Sequence, residues 1–281
     1  MSTGRNRSEG WTYAKRSGHL NEQKVCTLFD DTNFCDLFSK RLGVSKIVSA
    51  TVGGIHEKSV PGVLGRKTKS KTDLKLLLEN GKTVNISIKK SWGGQAAFQT
   101  VECFIKGFEL QFSTLIPDDI QYMLKLYFYG NPDTEKYLTD DAIIGGQPAR
   151  LIKYQKDHGR LVWESIKKWD NKKADKLLDW FKGNIGKLAE YCFSRGLATN
   201  KDEWAEYVWF INLLGEDDLD SIYSVADIIN GVEANKDLVT PGGVNGGSTI
   251  QFPFGFAQWH QAKIQVHDNL ENLINLNIKS I

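Results

Sequence analysis

Across residues 72–90, apolar and polar positions alternate with period two on both sides of one turn. Leu74, Leu76 and Leu78 share one parity, and Asp73, Lys75 and Leu77 the other. Beyond Glu79-Asn80-Gly81-Lys82, Val84, Ile86 and Ile88 alternate with Asn85, Ser87 and Lys89. This is the pattern of a β-hairpin with one aliphatic face that must pack on something. Asn-Gly at its centre predicts a type I′ turn, in which both central residues need positive φ. Pairing across the turn brings Asp73 close to Ser87 and Lys89.

The rest of the chain alternates between helical and extended patterns. Residues 1–12 are polar and read as a loose arm, with Arg5, Arg7, Lys15 and Arg16 available to phosphates. Ser17 reads as the N-cap of a helix through about Phe29, and Thr32 as the cap of a second, short helix. Residues 46–52 read as a strand ending at Gly53-Gly54. Trp92-Gly93-Gly94 reads as a turn into a helix over about 96–112, with Ala97, Val101, Phe104, Ile105 and Phe108 as its apolar stripe. Pro117-Asp118-Asp119 opens another helix, and helical patterns follow over 147–169, 172–195, 200–214 and 216–230. The tryptophans of this region read as core. Beyond residue 240 the period returns to two, predicting strands at 248–256 and 258–267 and a closing helix at 270–278. In the last strand Lys263, Gln265 and His267 share a face. The fold class expected is α/β (α+β). A mixed-sheet core flanked by helices is expected over 1–116, a mainly helical subdomain over 117–240, and a C-terminal β-element over 241–281.

Composition changes this picture little and charge changes it more. With 41% hydrophobic and 25% charged residues the 281-residue chain has the make-up of a soluble globular protein. It contains no run of about 18 apolar residues, so no membrane span is expected. The N-terminus has no apolar stretch of a signal peptide. Cys26, Cys35, Cys103 and Cys192 are scattered, without metal-ligand spacing to any histidine, and read as free thiols of a cytoplasmic protein. Net charge is +2 overall, but residues 40–90 carry twelve Lys/Arg against three Asp/Glu. This band of +9 faces −7 over the remainder, which suits a polyanionic substrate. The loop 55–71, rich in Gly, Lys and Ser, delivers Arg66, Lys67, Lys69 and Lys71 just ahead of Asp73, as phosphate positioning requires.

Asp73 with Ser87 and Lys89 has a chemical reading beside that of a plain surface hairpin. A carboxylate at a strand end can hold Mg²⁺, and a lysine on the same face can orient water or stabilise a phosphate. Asp73 followed by Ser87-Ile88-Lys89 resembles the motif of the PD-(D/E)xK nucleases, with Ser87 where the second acid usually sits. Gly65-Arg66-Lys67-Thr68-Lys69-Ser70-Lys71-Thr72-Asp73 and Val84-Asn85-Ile86-Ser87-Ile88-Lys89-Lys90-Ser91 resemble the MspI group of type II restriction endonucleases in that superfamily. So do Gly18-His19-Leu20-Asn21-Glu22 upstream, Thr100-Val101-Glu102-Cys103 downstream, and the pattern Lys263-x-Gln265-x-His267 near the end. Together these cover roughly residues 15–112 and a short C-terminal piece.

The resemblance implies a Mg²⁺-dependent enzyme of the bacterial cytoplasm, belonging to a restriction-modification system. It would cut double-stranded DNA at a short palindromic sequence, as monomer or homodimer. Asp73 and the Ile88 carbonyl would bind the metal, and Lys89 would orient water or stabilise charge. Ser87 would replace the acid, with Glu22 the candidate for a second carboxylate and Glu102 another possible support. Lys90, Ser91 and Gln95, with Gln99, would meet phosphates. Gln258, Gln261, Lys263 and Gln265 would contain the base readers, with Thr249 and Gln251 in reserve. A structure- or damage-specific DNA endonuclease, and a DNA-binding protein on a decayed nuclease fold, are the alternatives.

Overall fold

The computed structural model describes residues 7–53, 59–129, 143–144, 147–148, 162–215, 219–242, 249–260 and 263–281. Two five-stranded sheets organise them. The first has the order β1 (Ile47–Val52), β4 (Leu74–Leu78), β5 (Thr83–Lys89), β9 (Tyr207–Ile211) and β10 (Asp220–Ser224). Its neighbours are antiparallel except β5 and β9, which run parallel. The second is antiparallel throughout: β11 (Thr240–Gly242), β12 (Thr249–Phe252), β13 (Gly255–His260), β14 (Lys263–Asn269) and β6 (Gly93–Thr100). Two short ribbons, β2 (Val60–Pro61) with β3 (Lys67–Thr68) and β7 (Ile143–Ile144) with β8 (Gln147–Pro148), complete the strands. The class is mixed α/β, as expected.

The hairpin forms with Leu74 opposite Ile86. Its aliphatic parity is buried against Val25, Phe38 and Leu42 of helices α1 (Arg7–Thr27) and α2 (Thr32–Leu42). The turn differs from expectation. Gly81 has φ +77°, while Asn80 does not join it at positive φ. The Gly81 N–H donates to Leu78 O at 2.9 Å and the Leu78 N–H to Lys82 O at 2.9 Å. This is a type I turn closed by a left-handed glycine, not type I′. The polar parity is not solvated either. Asn85 and Ser87 are buried, Asn85 Nδ2 donating to Asp202 O and Trp204 O and Ser87 Oγ to Asp73 Oδ2.

A second core lies between the antiparallel sheet and the helices α3 (Val101–Phe112) and α4 (Asp118–Tyr129), with the helices Asn171–Gly183, Ile185–Glu190 and Val225–Ala234. Strand β9 serves both cores. Val208 and Phe210 point into the second, Trp209 and Ile211 into the first.

Several elements depart from the sequence reading. Helix α1 begins at Arg7, so Ser17 lies inside it, and the side chain of Asp31 rather than Thr32 caps α2. Residues 93–100 are strand, and α3 starts only at Val101, capped by Thr100. The ladder that β14 offers outweighs the helix preference of Ala96 and Ala97. Residues 207–211 and 220–224 are strands, not parts of helices. Tyr207-Val208-Trp209-Phe210-Ile211 is a continuous apolar run without alternation, because both its faces are covered. The strand read over 248–256 is two strands turning after Phe252. Pairing crosses the boundaries expected at 116 and 240: β6 joins the C-terminal sheet, and β9 and β10 join the hairpin. Residues 7–12 of the expected arm belong to α1, whereas residues 1–6, part of the helix read over 147–169, and Gln261 lie outside the described residues.

Candidate active site

Parallel strands end at the same edge of a sheet, and open α/β sheets bind ligands at that edge. Here the parallel pair is β5 and β9, and Lys89 is the last residue of β5. Asp73 precedes β4 at the same edge, its N–H donating to Ile86 O at 2.9 Å. Its Oδ2 accepts from the Ile88 N–H at 2.8 Å and from Ser87 Oγ at 3.1 Å. The carboxylate is therefore fixed from two sides, with Oδ1 outside both bonds.

Helix α1 brings Glu22 to the same place. Its neighbour Asn21 is fully buried and pins the helix to the end of β9: Nδ2 donates to Ile211 O at 2.8 Å, and Oδ1 accepts from the Leu213 N–H at 2.8 Å. His19 Nδ1 lies 3.4 Å from Glu22 Oε2. The basic loop is tied down in its turn, since Ser70 Oγ and Thr72 Oγ1 both donate to Glu203 O, at 2.8 and 3.1 Å.

Burial strains every charge here. It pushes the Glu22 carboxyl up to about 8, with the charge of Asp73 adding to the rise and Lys89 and Lys69 opposing it. Burial also raises Asp73, against the pull of Lys89, the Ile88 N–H and Ser87. It lowers Lys71 to about 8, helped by Lys89. For Lys89 burial works against the ammonium, but Asp268 and Asp73 outweigh it and the pKa lies above the ordinary lysine value.

Asp268 was not singled out from the sequence. It lies on β14, and its side chain is fully buried, with Oδ2 3.4 Å from Lys89 Nζ. Its Oδ1 accepts from the Gly94 N–H at 2.8 Å. The signal was available: Asp268 continues the parity of Ile264 and Val266, and a carboxylate at the buried parity of a strand needs a partner. Glu102, by contrast, is exposed and accepts from Tyr129 Oη at 2.7 Å, away from Lys89.

Two adjoining depressions form one groove. The inner, of about 400 Å³, is lined by Asp73, Ser87, Lys89, Lys71, Gln95, Gln99 and Tyr191 among others. The outer, of about 520 Å³, is lined by Arg66, Lys67, Lys263 and Cys103. They share Thr68, Lys69, Phe98, Gln99 and Leu197. Six cations thus border the groove against one lining carboxylate. Lys71 lines the inner depression. Its Nζ donates to Ala96 O and its stem lies against Gly196, whose φ of +51° and contact with the Lys71 side chain suit glycine alone. Arg66 Nη2 donates to Cys103 Sγ at 2.8 Å.

Other expected contacts lie elsewhere. Lys90 Nζ donates to Ser17 Oγ on α1, and Ser91 Oγ donates to Gly93 O at 2.8 Å in a turn. Gln99, on β6 rather than on a helix, donates to Tyr191 Oη at 2.6 Å. Gln258 donates to Gln265 Oε1 and Gln265 to Gln95 Oε1, each at 2.9 Å. This amide chain crosses β13, β14 and β6 to reach the inner groove. Lys263 Nζ stands 4.9 Å over the ring of Phe98, a half-exposed aromatic between the two depressions.

The donors at the inner groove suit a hard cation. Asp73 would offer it an oxygen ligand, with Glu22 and the Ile88 carbonyl as candidates beside it, and two half-buried carboxyl groups held above their ordinary pKa would gain from a divalent ion. Among the described residues no three of His, Cys, Asp and Glu cluster at ligand distance. Among the described residues the cysteines form no disulfide, and no helix is long and apolar enough to cross a membrane.

No family model and no curated protein matches the chain. Among solved structures it is similar to restriction endonuclease MspI in complex with its cognate DNA. Sequence identity is 14%, over 84% of this chain and 77% of that one, with a TM-score of 0.47.

Proposed function

We propose that the protein is a Mg²⁺-dependent type II restriction endonuclease that cuts double-stranded DNA at a short specific sequence. The observation that carries this reading is the meeting of Asp73, Ser87 and Lys89 in the wall of a groove bordered by six cations, with Glu22 near enough for its charge to act on Asp73 and Lys89. Asp73, through Oδ1, with Glu22 and the Ile88 carbonyl, would hold the ion. A bound divalent cation supplies Lewis acidity and a water of lowered pKa. Ser87 and the Ile88 N–H keep the Asp73 carboxylate turned to one side. Lys89, whose ammonium is favoured by Asp268 and Asp73, offsets the negative charge that grows on the phosphate as the bond breaks. Lys69 and Lys71 neutralise the phosphates that enter the groove, and Arg66 and Lys67 continue the track outward. The outer face of the C-terminal sheet presents Gln258, Gln265 and Lys263 to base edges, with Thr249 and Gln251 on the next strand.

Ser87 in place of an acid is the feature that favours a DNA-binding protein without cleavage as the second reading. Plasmid DNA incubated with the protein and Mg²⁺, with EDTA, and with Asp73→Ala separates them. Discrete fragments that need both Mg²⁺ and Asp73 support the nuclease. Retarded but intact plasmid under every divalent ion overturns it.

A further inference from the structure

Lys89 and Asp268 belong to different sheets. Lys89 ends β5 in the first, and Asp268 lies near the end of β14 in the second. The carboxylate is fully enclosed, and its two oxygens have separate duties. Oδ1 takes the Gly94 N–H at 2.8 Å, which locks it to β6. Oδ2 faces Lys89 Nζ at 3.4 Å, and no other donor among the described residues bonds it. A buried ion pair of this kind is poor value as a source of stability, because desolvation consumes most of the Coulomb gain. Its effect is on geometry: it fixes where the ammonium sits. The same strand carries, on its outer face, Gln265 of the amide chain and Lys263 over Phe98.

We propose that Asp268 is the positioning residue for Lys89, and that through it the strand bearing the candidate base readers sets the lysine that acts on the phosphate. This rests on the nuclease reading of Lys89. Asp268 on the inward face and Gln265 and Lys263 on the outward face hang on the same backbone, so the strand that would meet base edges also sets the place of the ammonium. Recognition and chemistry then share one strand, with no intervening element to relay between them.

Four proteins test it: wild type, Lys89→Ala, Asp268→Asn, and the double variant. Single-turnover cleavage of a plasmid with Mg²⁺ gives the rate. Anisotropy of a labelled duplex cut from that plasmid, in EDTA, gives affinity without metal or turnover, and thermal unfolding reports folding. Asp268→Asn keeps the acceptor for the Gly94 N–H and replaces the oxygen that faces Lys89 by an amide NH2, so the charge and the acceptor toward the ammonium are both removed. The expected result is a rate loss on the order of 10²-fold, duplex affinity within about twofold, and no further loss when the change is added to Lys89→Ala.

A wild-type rate for Asp268→Asn overturns the proposal. So does a loss that multiplies with that of Lys89→Ala, or a fall in affinity that parallels the rate. If Asp268→Asn does not fold, Asp268→Glu is read by the same three criteria, since it keeps the charge and displaces it by one methylene. If wild type leaves plasmid intact, or Lys89→Ala cuts at the wild-type rate, the nuclease reading itself fails and the proposal falls with it. An inactive Lys89→Ala beside a fully active Asp268→Asn refutes the positioning role alone.

Discussion

Ser87 Oγ donates to Asp73 Oδ2 at 3.1 Å, so the residue standing where a second acid is expected serves the first acid instead. The hydroxyl is buried, and its replacement by a carboxylate would place like charges side by side. Ser87→Asp should therefore lower the melting temperature in EDTA by several degrees, with a cost of about 1–3 kcal/mol. Added Mg²⁺ should restore most of it. A melting temperature that is unchanged in EDTA, or that ignores Mg²⁺, would show that position 87 does not face the metal donors.

Removing Asp73 or Lys89 should stop cleavage without loosening DNA. Asp73→Asn and Lys89→Ala should each lower the single-turnover rate by on the order of 10³-fold or more. Duplex affinity measured in EDTA should stay within a few-fold. Comparable loss in both measurements would assign the residues to the binding track alone.

Glu22 gives a pH dependence with a definite sign. Its carboxyl titrates at about 8 in the folded protein, raised from 4.5 by burial and then by Asp73. The folded state therefore holds a proton that the unfolded chain has lost between those two values. That contribution to stability is complete below about pH 4.5 and fades as pH rises through about 8. Melting curves in EDTA at pH 5, 7 and 9 should show wild type losing more stability over this span than Glu22→Gln. Parallel curves would refute the raised carboxyl.

The phosphate track and the base-reading face should respond differently. Lys67→Ala and Lys69→Ala should weaken binding to all duplexes alike and reduce the salt slope by about one unit each. Gln265→Ala breaks both links of the amide chain. It should cost about 1–3 kcal/mol on the preferred sequence and little on others. Competition binding with a set of duplexes at two salt concentrations separates the two classes. A uniform loss for Gln265→Ala would move it to the phosphate class.

Asn21 stands behind the site and can be tested for structure alone. Asn21→Ala leaves Ile211 O and the Leu213 N–H without their side-chain partner in a buried setting. The expected loss of stability is about 1–3 kcal/mol by urea titration. A smaller loss would mean that α1 is anchored mainly by its apolar face.

The hairpin and its chemistry were legible because local pattern and tertiary context agree there. Leu74 through Ile88 alternate, and the alternation puts Asp73, Ser87 and Lys89 on one side whatever the hairpin packs against. The strand at 207–211 was not legible, since a run covered on both faces has no period to read. Ala96 and Ala97 misled for the opposite reason: their helix preference is real, and the pairing of β6 with β14 overrides it. Asp268 escaped because its role depends on Lys89, far away in the sequence and adjacent only after both sheets form. The glutamates followed the same rule. Glu22 comes within electrostatic reach of Asp73 and Lys89 because Asn21 docks α1, whereas Glu102 turns to Tyr129.

The interleaving of the two sheets has a consequence for synthesis of the chain. Domains of a growing polypeptide fold as their parts emerge, but here the hairpin waits for β9 to cover its far edge, and β6 waits for β14, which follows it far along the chain. Until then β6 is a bare edge and Lys89 lacks the carboxylate that steadies it. A nascent or truncated chain that ends before Asp268 therefore carries every residue of the Asp73 hairpin and still lacks the carboxylate that meets Lys89, so the candidate cleft is assembled only once β14 has emerged.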